Sequence, residues 1–479
     1  MALLIGDIVR RAARMAPGAV AASLGGERVT FGELDEAADR AANALAGLGV
    51  RRGDRVVWWS APALRTLDGF LGCARLGAVF APVNPALSDV EFAAVLDYLD
   101  PRLVVTDAER AGVEAPHAIA ATLAGAPGPP RAAVSETDPH ILYLTSGSTG
   151  RPKGALVSHR ASWLRAAPGG GTFSTGLRGD GGVLCSFPLY HYGGWHYVME
   201  AWQHRTAAHL VPRADAVSII DAVRMRRPTA IYCIPAVWER LLDGEHRHAD
   251  LSSLRHADTG TSAVAAELVA RIKERLPGTT TTILYGSTEA GRMAALQDWE
   301  LADRSGSVGR PAFPGTLWVD GDGEVIVGGD TLMSGYHALP AETATALRDG
   351  AYRSGDLGHL DGEGYLYLTG RTREVIRSGG ESVSPSEVEH ALRGLPGVRD
   401  VAVVGLPDAR WGEVVCAAVV PAGDGAVPDV AAVRAHVAGR LAPFKQPRRI
   451  AVVEAIPRTP ATGQIQRSRV RDEILTALG

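Results

Sequence analysis

The stretch Tyr143-Leu-Thr-Ser-Gly-Ser-Thr-Gly-Arg-Pro-Lys-Gly154 decides how the remainder of the 479 residues is read. The apolar run Ile141-Leu-Tyr-Leu-Thr145 leading into it reads as a buried strand. Thr145, Ser146, Gly147, Ser148, Thr149 and Gly150 follow, and Arg151-Pro-Lys153 closes the segment. Glycines let backbone N–H groups turn toward an anion, hydroxyls add donors, and Lys153 adds a mobile positive charge. Such a group of donors suits a polyphosphate or the α-phosphate of a nucleotide. It is not a Walker loop, in which Gly-Lys-[Ser/Thr] runs directly into a helix. Here two residues separate Gly150 from Lys153, and Ala155-Leu-Val157 extends before any helix. A flexible linker of this composition would rarely sit between two apolar strand-like runs.

Upstream, strand and helix patterns alternate. Ile5 to Met15 has helical periodicity and stops at Pro17, and Gly25-Gly26 marks a hairpin. Thr30 with Glu33 is a capping box for a helix running to about Leu48. Gly53-Asp-Arg-Val-Val-Trp58, a helix over Leu64–Leu76 and Ala78-Val-Phe-Ala-Pro-Val83 make a βαβ unit. Asp89–Leu99 predicts a helix and Leu103-Val-Val105 a strand, whereas residues 109–136 read as a loose surface connection. This alternation predicts an α/β fold of layered, largely parallel sheets. Downstream, Ser158 or His159 starts a helix and Val183-Leu-Cys-Ser-Phe-Pro188 is a strand. From Gly315, short strands punctuated by Gly-Asp-Gly predict a small β-barrel or meander. A compact α/β unit of about 110 residues closes the chain. The expected division is a large N-terminal domain over residues 1–371, including the β-barrel subdomain, and a small mobile C-terminal α/β domain over 372–479.

The hydrophobic fraction of 46% supports large cores, and a net charge of −4 gives no reason to expect nucleic acid or an anionic membrane as partner. Cys73, Cys185, Cys233 and Cys416 are scattered without metal-ligand spacing, as expected of buried thiols in a reducing compartment. No apolar run approaches the length of a membrane span, and Asp7, Arg10 and Arg11 interrupt any signal-peptide core. A cytoplasmic enzyme is expected. The chain holds only three lysines, Lys153, Lys273 and Lys445, among 49 basic residues, so a lysine present or missing is informative.

Seven motifs in order carry a resemblance: the phosphate loop, Pro188-Leu-Tyr-His191, Thr259-Gly-Thr-Ser262, Tyr285-Gly-Ser-Thr-Glu289, Ser354-Gly-Asp-Leu-Gly358, Gly370-Arg371, and Ser378-Gly-Gly-Glu381 through Pro385-Ser-Glu-Val-Glu389. The chain resembles the adenylate-forming superfamily of acyl- and aryl-CoA ligases, luciferases and peptide-synthetase adenylation domains over nearly its full length. The resemblance implies that Thr145, Ser146, Thr149 and Lys153 contact phosphates. The Gly260, Thr261, Gly286 and Ser287 segments border the nucleotide. It implies that Tyr285 stacks on adenine, Thr288 holds the α-phosphate, Glu289 holds magnesium, and Asp356 with Arg371 holds the ribose. His191 would stand between the acyl pocket and the pantetheine entrance. Gly194, Trp195, Ile234, Gly260, Gly286 and Met293 would line the acyl pocket, with core packing an equal account of Trp195, Ile234 and Met293. Ser378, Gly379 and Gly380 would line a pantetheine tunnel, with Trp411 and Phe444 near CoA and Arg373 as hinge. Gly193, Gly194 and Ala263 leave room for a bulky, largely apolar acid, and an aryl acid is compatible.

The chain departs from the pattern near its C-terminus. The family reads Pro-x-Thr-x-x-Gly-Lys near its C-terminus, whereas Pro457-Arg-Thr-Pro-Ala-Thr-Gly463 is followed here by Gln464. In the family that lysine offsets charge during adenylation and is not used when CoA attacks the adenylate. Gln464 donates hydrogen bonds but brings no charge. The expected activity is therefore thioesterification: a preformed acyl-adenylate plus CoA gives acyl-CoA and AMP. A separate enzyme would supply the adenylate, similar to the split ligase pairs of platensimycin- and platencin-type biosynthesis. Two alternatives are a complete ATP-dependent ligase, with Lys445 or Arg467 supplying the charge, and a non-catalytic nucleotide- or acyl-binding regulator. Magnesium is required only where adenylation occurs.

Overall fold

The computed structural model describes residues 2–107, 116–120, 123–145, 152–167, 181–312, 314–372, 374–378, 381–408, 411–423, 427–459 and 463–478. Ser146, Thr149, Arg373, Gly379 and Gly380, singled out above, lie outside the described residues. Compactness divides the chain into one unit of Met1–Leu317 with Val327–Arg353 and a second of Trp318–Ile326 with Ser354–Gly479.

The first unit holds two sheets. A seven-stranded sheet runs in the order Gly335–Tyr336, Lys153–Ser158, Pro139–Thr145, Val79–Pro82, Arg55–Trp59, Leu103–Thr106, His117–Ile119. Its central strands are parallel and buried on both faces, which is why they read as unbroken apolar runs. Trp58 joins one core with Phe70 and Phe80, while its neighbour Trp59 stacks on Phe92 on the opposite face. The last strand corrects the reading of 109–136 as wholly irregular: His117–Ile119 adds a parallel edge through backbone pairing with Leu103–Thr106, which an Ala- and Pro-rich composition does not reveal.

A nine-stranded sheet is ordered Arg310–Pro311, Gly291–Leu296, Ile283–Ser287, His256–Gly260, Ala230–Tyr232, Val183–Cys185, Ala208–Leu210, Val20–Leu24, Glu27–Thr30. Helices Gly6–Met15, Phe31–Gly47 and Asp89–Leu99 form where periodicity placed them. Thr30 and Glu33 cap each other reciprocally, satisfying two otherwise orphaned N–H donors. The helix Tyr192–Gln203 directs Trp195, Met199 and Trp202 into the apolar core. All four cysteines are free and buried, and burial pushes the Cys185 thiol up to about 12.

In the second unit, Val398–Asp408 and Gly412–Pro421 form the longest antiparallel pair, with Ile376–Ser378, Glu381–Val383 and the parallel Arg449–Val452 completing a sheet. Its two faces are read from strict alternation. Val415, Ala417 and Val419 pack with Val388, Leu392 and Val433; Val414, Cys416 and Ala418 pack with Ile456, Val470 and Ile474. After Trp318–Ile326 the chain re-enters this unit within the strand Ala351–Leu360, which pairs antiparallel with Leu366–Arg371.

Candidate active site

The phosphate loop joins two antiparallel strands, so its ends are held opposite each other. Thr145 and Lys153 are register partners, and the Thr145 hydroxyl donates to the Lys153 carbonyl at 3.3 Å. The Lys153 ammonium lies 5.2 Å from the ring centre of Tyr336. The Tyr336 hydroxyl in turn donates to Glu289 Oε1 at 2.9 Å.

Beneath these groups Arg165, 5% exposed, acts as a clamp. Its guanidinium donates to the carbonyls of Thr288 at 3.0 Å, Glu289 at 2.8 Å and Thr331 at 2.7 Å. This pins the turn after Tyr285-Gly286-Ser287, whose Ser287 hydroxyl also accepts from the Ala290 N–H at 3.1 Å. Neither Arg165 nor Tyr336 belongs to a motif read from the sequence. Among the described residues no three metal-ligating side chains cluster. A single fixed carboxylate fits magnesium, which takes one or two protein carboxylates and fills its shell with phosphate oxygens and water.

Two glycines shape the neighbouring pocket. At Gly260 φ is +149°, and a Cβ there would stand 2.0 Å from the Leu284 carbonyl oxygen and 2.8 Å from the Tyr232 hydroxyl. Thr261 next to it adopts φ +71°, strained for a β-branched residue, and its hydroxyl pairs with Tyr232 at 2.8 Å. Gly286 is the register partner of Arg292, and a Cβ on it would meet the Gly291 carbonyl oxygen at 2.3 Å. His191 precedes the helix Tyr192–Gln203; burial lowers its imidazole to about 4, so it is neutral at ordinary pH, and its Nε2 has no protein partner. A Cβ on Gly194 would meet the Pro188 carbonyl oxygen at 2.7 Å. Ile234 and Met293 are buried. Trp195, for which pocket lining and core packing were equal accounts, stacks on Phe70 with ring centres 3.9 Å apart and meets Phe80 edge-on. It belongs to the apolar core with Phe70, on the helix Arg65–Leu76, and Phe80, on the seven-stranded sheet.

An adjacent face of that helix carries a polar row that motif reading missed. Tyr192, His196 and Glu200 are spaced by one turn each. Arg292 Nη2 donates to His196 Nε2 at 2.9 Å. A guanidinium can only donate, so the His196 proton sits on Nδ1, 3.3 Å from the Tyr192 hydroxyl. Burial and the facing Arg292 keep His196 neutral. Arg292 Nη2 also stands 3.6 Å from Glu200 Oε1, an ion pair rather than a hydrogen bond. Glu200 Oε2 is buried with no hydrogen-bond partner. Burial pushes the Glu200 carboxyl up to about 7 against the opposing pull of Arg292. Its folded value lies above the unfolded one, so its contribution to stability is complete below pH 4.5 and is lost as pH rises through about 7. We therefore expect Glu200→Gln, which mimics the neutral form, to gain melting temperature relative to wild type as pH rises from about 5 to 8. A difference that is constant over that range would count against this environment.

In the second unit Asp356, 9% exposed, faces its register partner Arg371, whose Nε donates to Asp356 Oδ1 at 2.8 Å. The Asp356 N–H is held by the Ser354 hydroxyl at 3.0 Å, and Gly355 N–H by Glu324 at 2.9 Å. Ser378 is buried and is the register partner of Gly412. Trp411 lies under the Arg448 guanidinium at 4.4 Å. Phe444 packs against the apolar core of its own unit.

Gln464 closes a small hairpin. Arg458 and Ile465 form an antiparallel bridge, the Thr459 N–H donates to the Gln464 carbonyl at 2.8 Å, and the Gln464 N–H donates to the Thr459 hydroxyl at 3.0 Å. The two cations named above as alternatives to the missing lysine are both paired. Lys445 donates to both oxygens of Glu387 at 2.6 and 2.8 Å. Arg467 bridges Glu374 at 2.5 Å and Glu389 at 2.6 Å with its side chain 15% exposed.

The first unit holds a hydroxyl- and glycine-rich sequence between two strands and a clamped Thr-Glu turn, and the second holds an Asp–Arg pair on adjacent strands. The AMP-binding enzyme family profile matches residues 9–337, and the AMP-binding enzyme C-terminal domain matches 387–462. A feruloyl-CoA synthase from an Amycolatopsis species is 35% identical, covering 96% of this chain and 97% of that protein. An indoleacetate–CoA ligase from Aromatoleum aromaticum is 32% identical, covering 98% and 97%. The structure of o-succinylbenzoate CoA synthetase from Bacillus subtilis with its acyl-adenylate intermediate superposes with a TM-score of 0.85 at 25% identity, covering 97% and 98%. The chain belongs to the adenylate-forming superfamily, in the family of AMP-forming acyl- and aryl-CoA ligases. Enzymes of this family use ATP, magnesium and CoA. No helix among the described residues is long and apolar enough to cross a membrane.

Proposed function

We propose that this chain is an acyl-CoA ligase specialised for the second half-reaction. The CoA sulfur attacks the acyl carbonyl carbon of a preformed acyl-adenylate. The bond from that carbon to the phosphate oxygen breaks, AMP leaves, and the thiol proton passes to solvent. The observation that carries this reading is the uncompensated charge at Gln464. The position is neutral, and the neighbouring basic candidates Lys445 and Arg467 are each committed to carboxylates. Freeing Arg467 would strand Glu389, a buried carboxyl already raised by burial and held by that arginine.

The family pattern supports the residue roles. Tyr285 offers an aromatic face to adenine, and Asp356, oriented by Arg371, accepts from ribose hydroxyls. Thr145, Ser146, Thr149, Lys153 and Thr288 bind phosphate oxygens. His191, neutral through burial, separates the acyl group from the thiol's approach without adding charge. Ser378, Gly379 and Gly380 shape the pantetheine tunnel, and Arg373 serves as hinge between domains 1–371 and 372–479. Glu289 would hold magnesium where ATP is used, which would supply positive charge against the phosphates. A separate adenylating enzyme, as in the split pairs of platensimycin- and platencin-type biosynthesis, supplies the acyl-adenylate. The aryl acids named for two relatives support an aryl or other bulky acid as the acyl group.

Paired assays test this. One contains ATP, magnesium, free acid and CoA, followed by pyrophosphate and acyl-CoA. The other contains chemically made acyl-adenylate and CoA. Product in the second assay alone is expected. Comparable product in both would make the protein a complete two-step ligase, and product in neither would leave only a binding role.

A further inference from the structure

Arg165 is a buried charge that the roles above leave without a counter-ion. Its Nε, Nη1 and Nη2 donate to the carbonyls of Thr331, Thr288 and Glu289, and its guanidinium lies 5.1 Å from the ring centre of Tyr192. All of these partners are neutral, and Arg165 forms no ion pair among the described residues. Glu289, the carboxylate whose charge reaches it, accepts instead from the Tyr336 hydroxyl at 2.9 Å. The stem is fixed as well. Gly291 has φ +79°, and a Cβ there would stand 2.9 Å from Arg165 Cγ, Cδ and Nε. Buried arginines are ordinarily paired with carboxylates, because carbonyl dipoles stabilise the cation but leave its net charge in place. Donating to carbonyls needs N–H groups, which neutral side chains also carry, whereas offsetting an anion needs the charge itself.

We infer that Arg165 is a positioning residue of the phosphate site with a second, electrostatic part: it fixes Thr288 and Glu289 through their carbonyls, and its buried charge strengthens the hold on the α-phosphate of the bound adenylate. The inference rests on the phosphate-binding role given above to Thr288 and deepens it. No direct contact with the ligand is required, because charge acts over several ångströms where water is excluded and screening is weak. The turn needs such a cation. Glu289 places a carboxylate next to Thr288, and a carboxylate beside a phosphate repels it unless a positive charge offsets it. Arg165, bonded to the carbonyls of both residues, supplies that charge from the buried side. Lys153, over the Tyr336 ring, supplies one from the side of the phosphate loop. A guanidinium suits the buried position because it stays protonated where an ammonium would lose its proton.

The test compares AMP with adenosine, which differ only in the phosphate, by ligand-detected NMR titration of the whole protein, with melting temperature as the folding control. Wild type should bind AMP on the order of tenfold or more tighter than adenosine. Arg165→Gln, which keeps donors but no charge, should lose on the order of tenfold in AMP affinity and hold adenosine within about threefold. Arg165→Lys, which keeps the charge with fewer donors, should retain most of the preference for AMP. Unchanged AMP binding in Arg165→Gln, equal losses of AMP and adenosine there, or a preference lost as fully in Arg165→Lys would each overturn the inference. Wild type binding AMP no tighter than adenosine would overturn the phosphate-site reading itself. Phosphorus NMR of AMP bound to Lys153→Met decides the matter even if neither Arg165 variant folds. With that lysine gone, the phosphate should still lose its last proton at lower pH than free AMP, because a remaining cation favours the dianion. Titration at or above the free value would overturn the inference.

Discussion

Gln464→Lys should raise ATP-dependent activation of the free acid by about 10²–10³-fold, while thioester formation from preformed adenylate changes by no more than about 2-fold. The reason is electrostatic. Adenylation builds negative charge at the α-phosphorus, and a lysine brings a full charge where glutamine brings only a dipole. The main chain at residue 464 is held for the replacement by its N–H and carbonyl, which hydrogen-bond to the Thr459 hydroxyl and N–H. Arg467 and Lys445 remain on their carboxylates and neither competes with nor duplicates the new charge. One feature of the loop calls for a second variant. Three residues, Pro460, Ala461 and Thr462, stand between Thr459 and Gly463, where the family pattern has two. Gln464→Lys combined with deletion of Ala461 restores that spacing. Pyrophosphate release measured separately from acyl-CoA formation reads the result. If both half-reactions respond alike, or neither variant gains any adenylation, the missing lysine is not what separates this chain from complete ligases.

Asp356→Ala should weaken binding of an acyl-sulfamoyl adenosine by roughly 10- to 100-fold, the scale for hydrogen bonds to a charged group, since Asp356 is mostly buried while its partner Arg371 is half exposed. The loss has two parts. The ribose hydroxyls lose their acceptor, and Arg371 loses the Oδ1 that holds its Nε at 2.8 Å. Asp356→Asn separates them, because the amide retains one carbonyl acceptor and nearly the same shape, and an intermediate loss is expected. The strand itself should persist, since the backbone at 354–356 is held by Ser354 and Glu324 rather than by the Asp356 side chain. Calorimetry at constant pH, with melting temperature as the folding control, measures both variants. Unchanged affinity in Asp356→Ala would show that this aspartate does not hold the nucleotide.

The chemistry held within short contiguous segments was legible from the amino-acid sequence alone. Glycines at 260 and 286 are required because a Cβ collides with main chain, and that requirement is written into the residue type itself. The helix Phe31–Gly47 follows from a reciprocal cap three residues apart, and the buried parallel strands follow from continuous apolar runs. The reading of Gln464 at a lysine position likewise rests on the sequence alone.

What only the tertiary structure decided is which distant side chains meet. Arg165 clamps the Thr288-Glu289 turn from more than a hundred residues away. Arg292 reaches His196 and Glu200 across a comparable separation. Trp195 was open to a pocket or a core reading by motif, and helical geometry sets it in the core with Tyr192, His196 and Glu200 on an adjacent face. Lys445 and Arg467 were free cations on paper until folding placed Glu387, Glu374 and Glu389 against them. Local sequence specifies backbone conformation and residue chemistry. Pairing energies between buried charges depend on distance and desolvation, which exist only once the chain has folded.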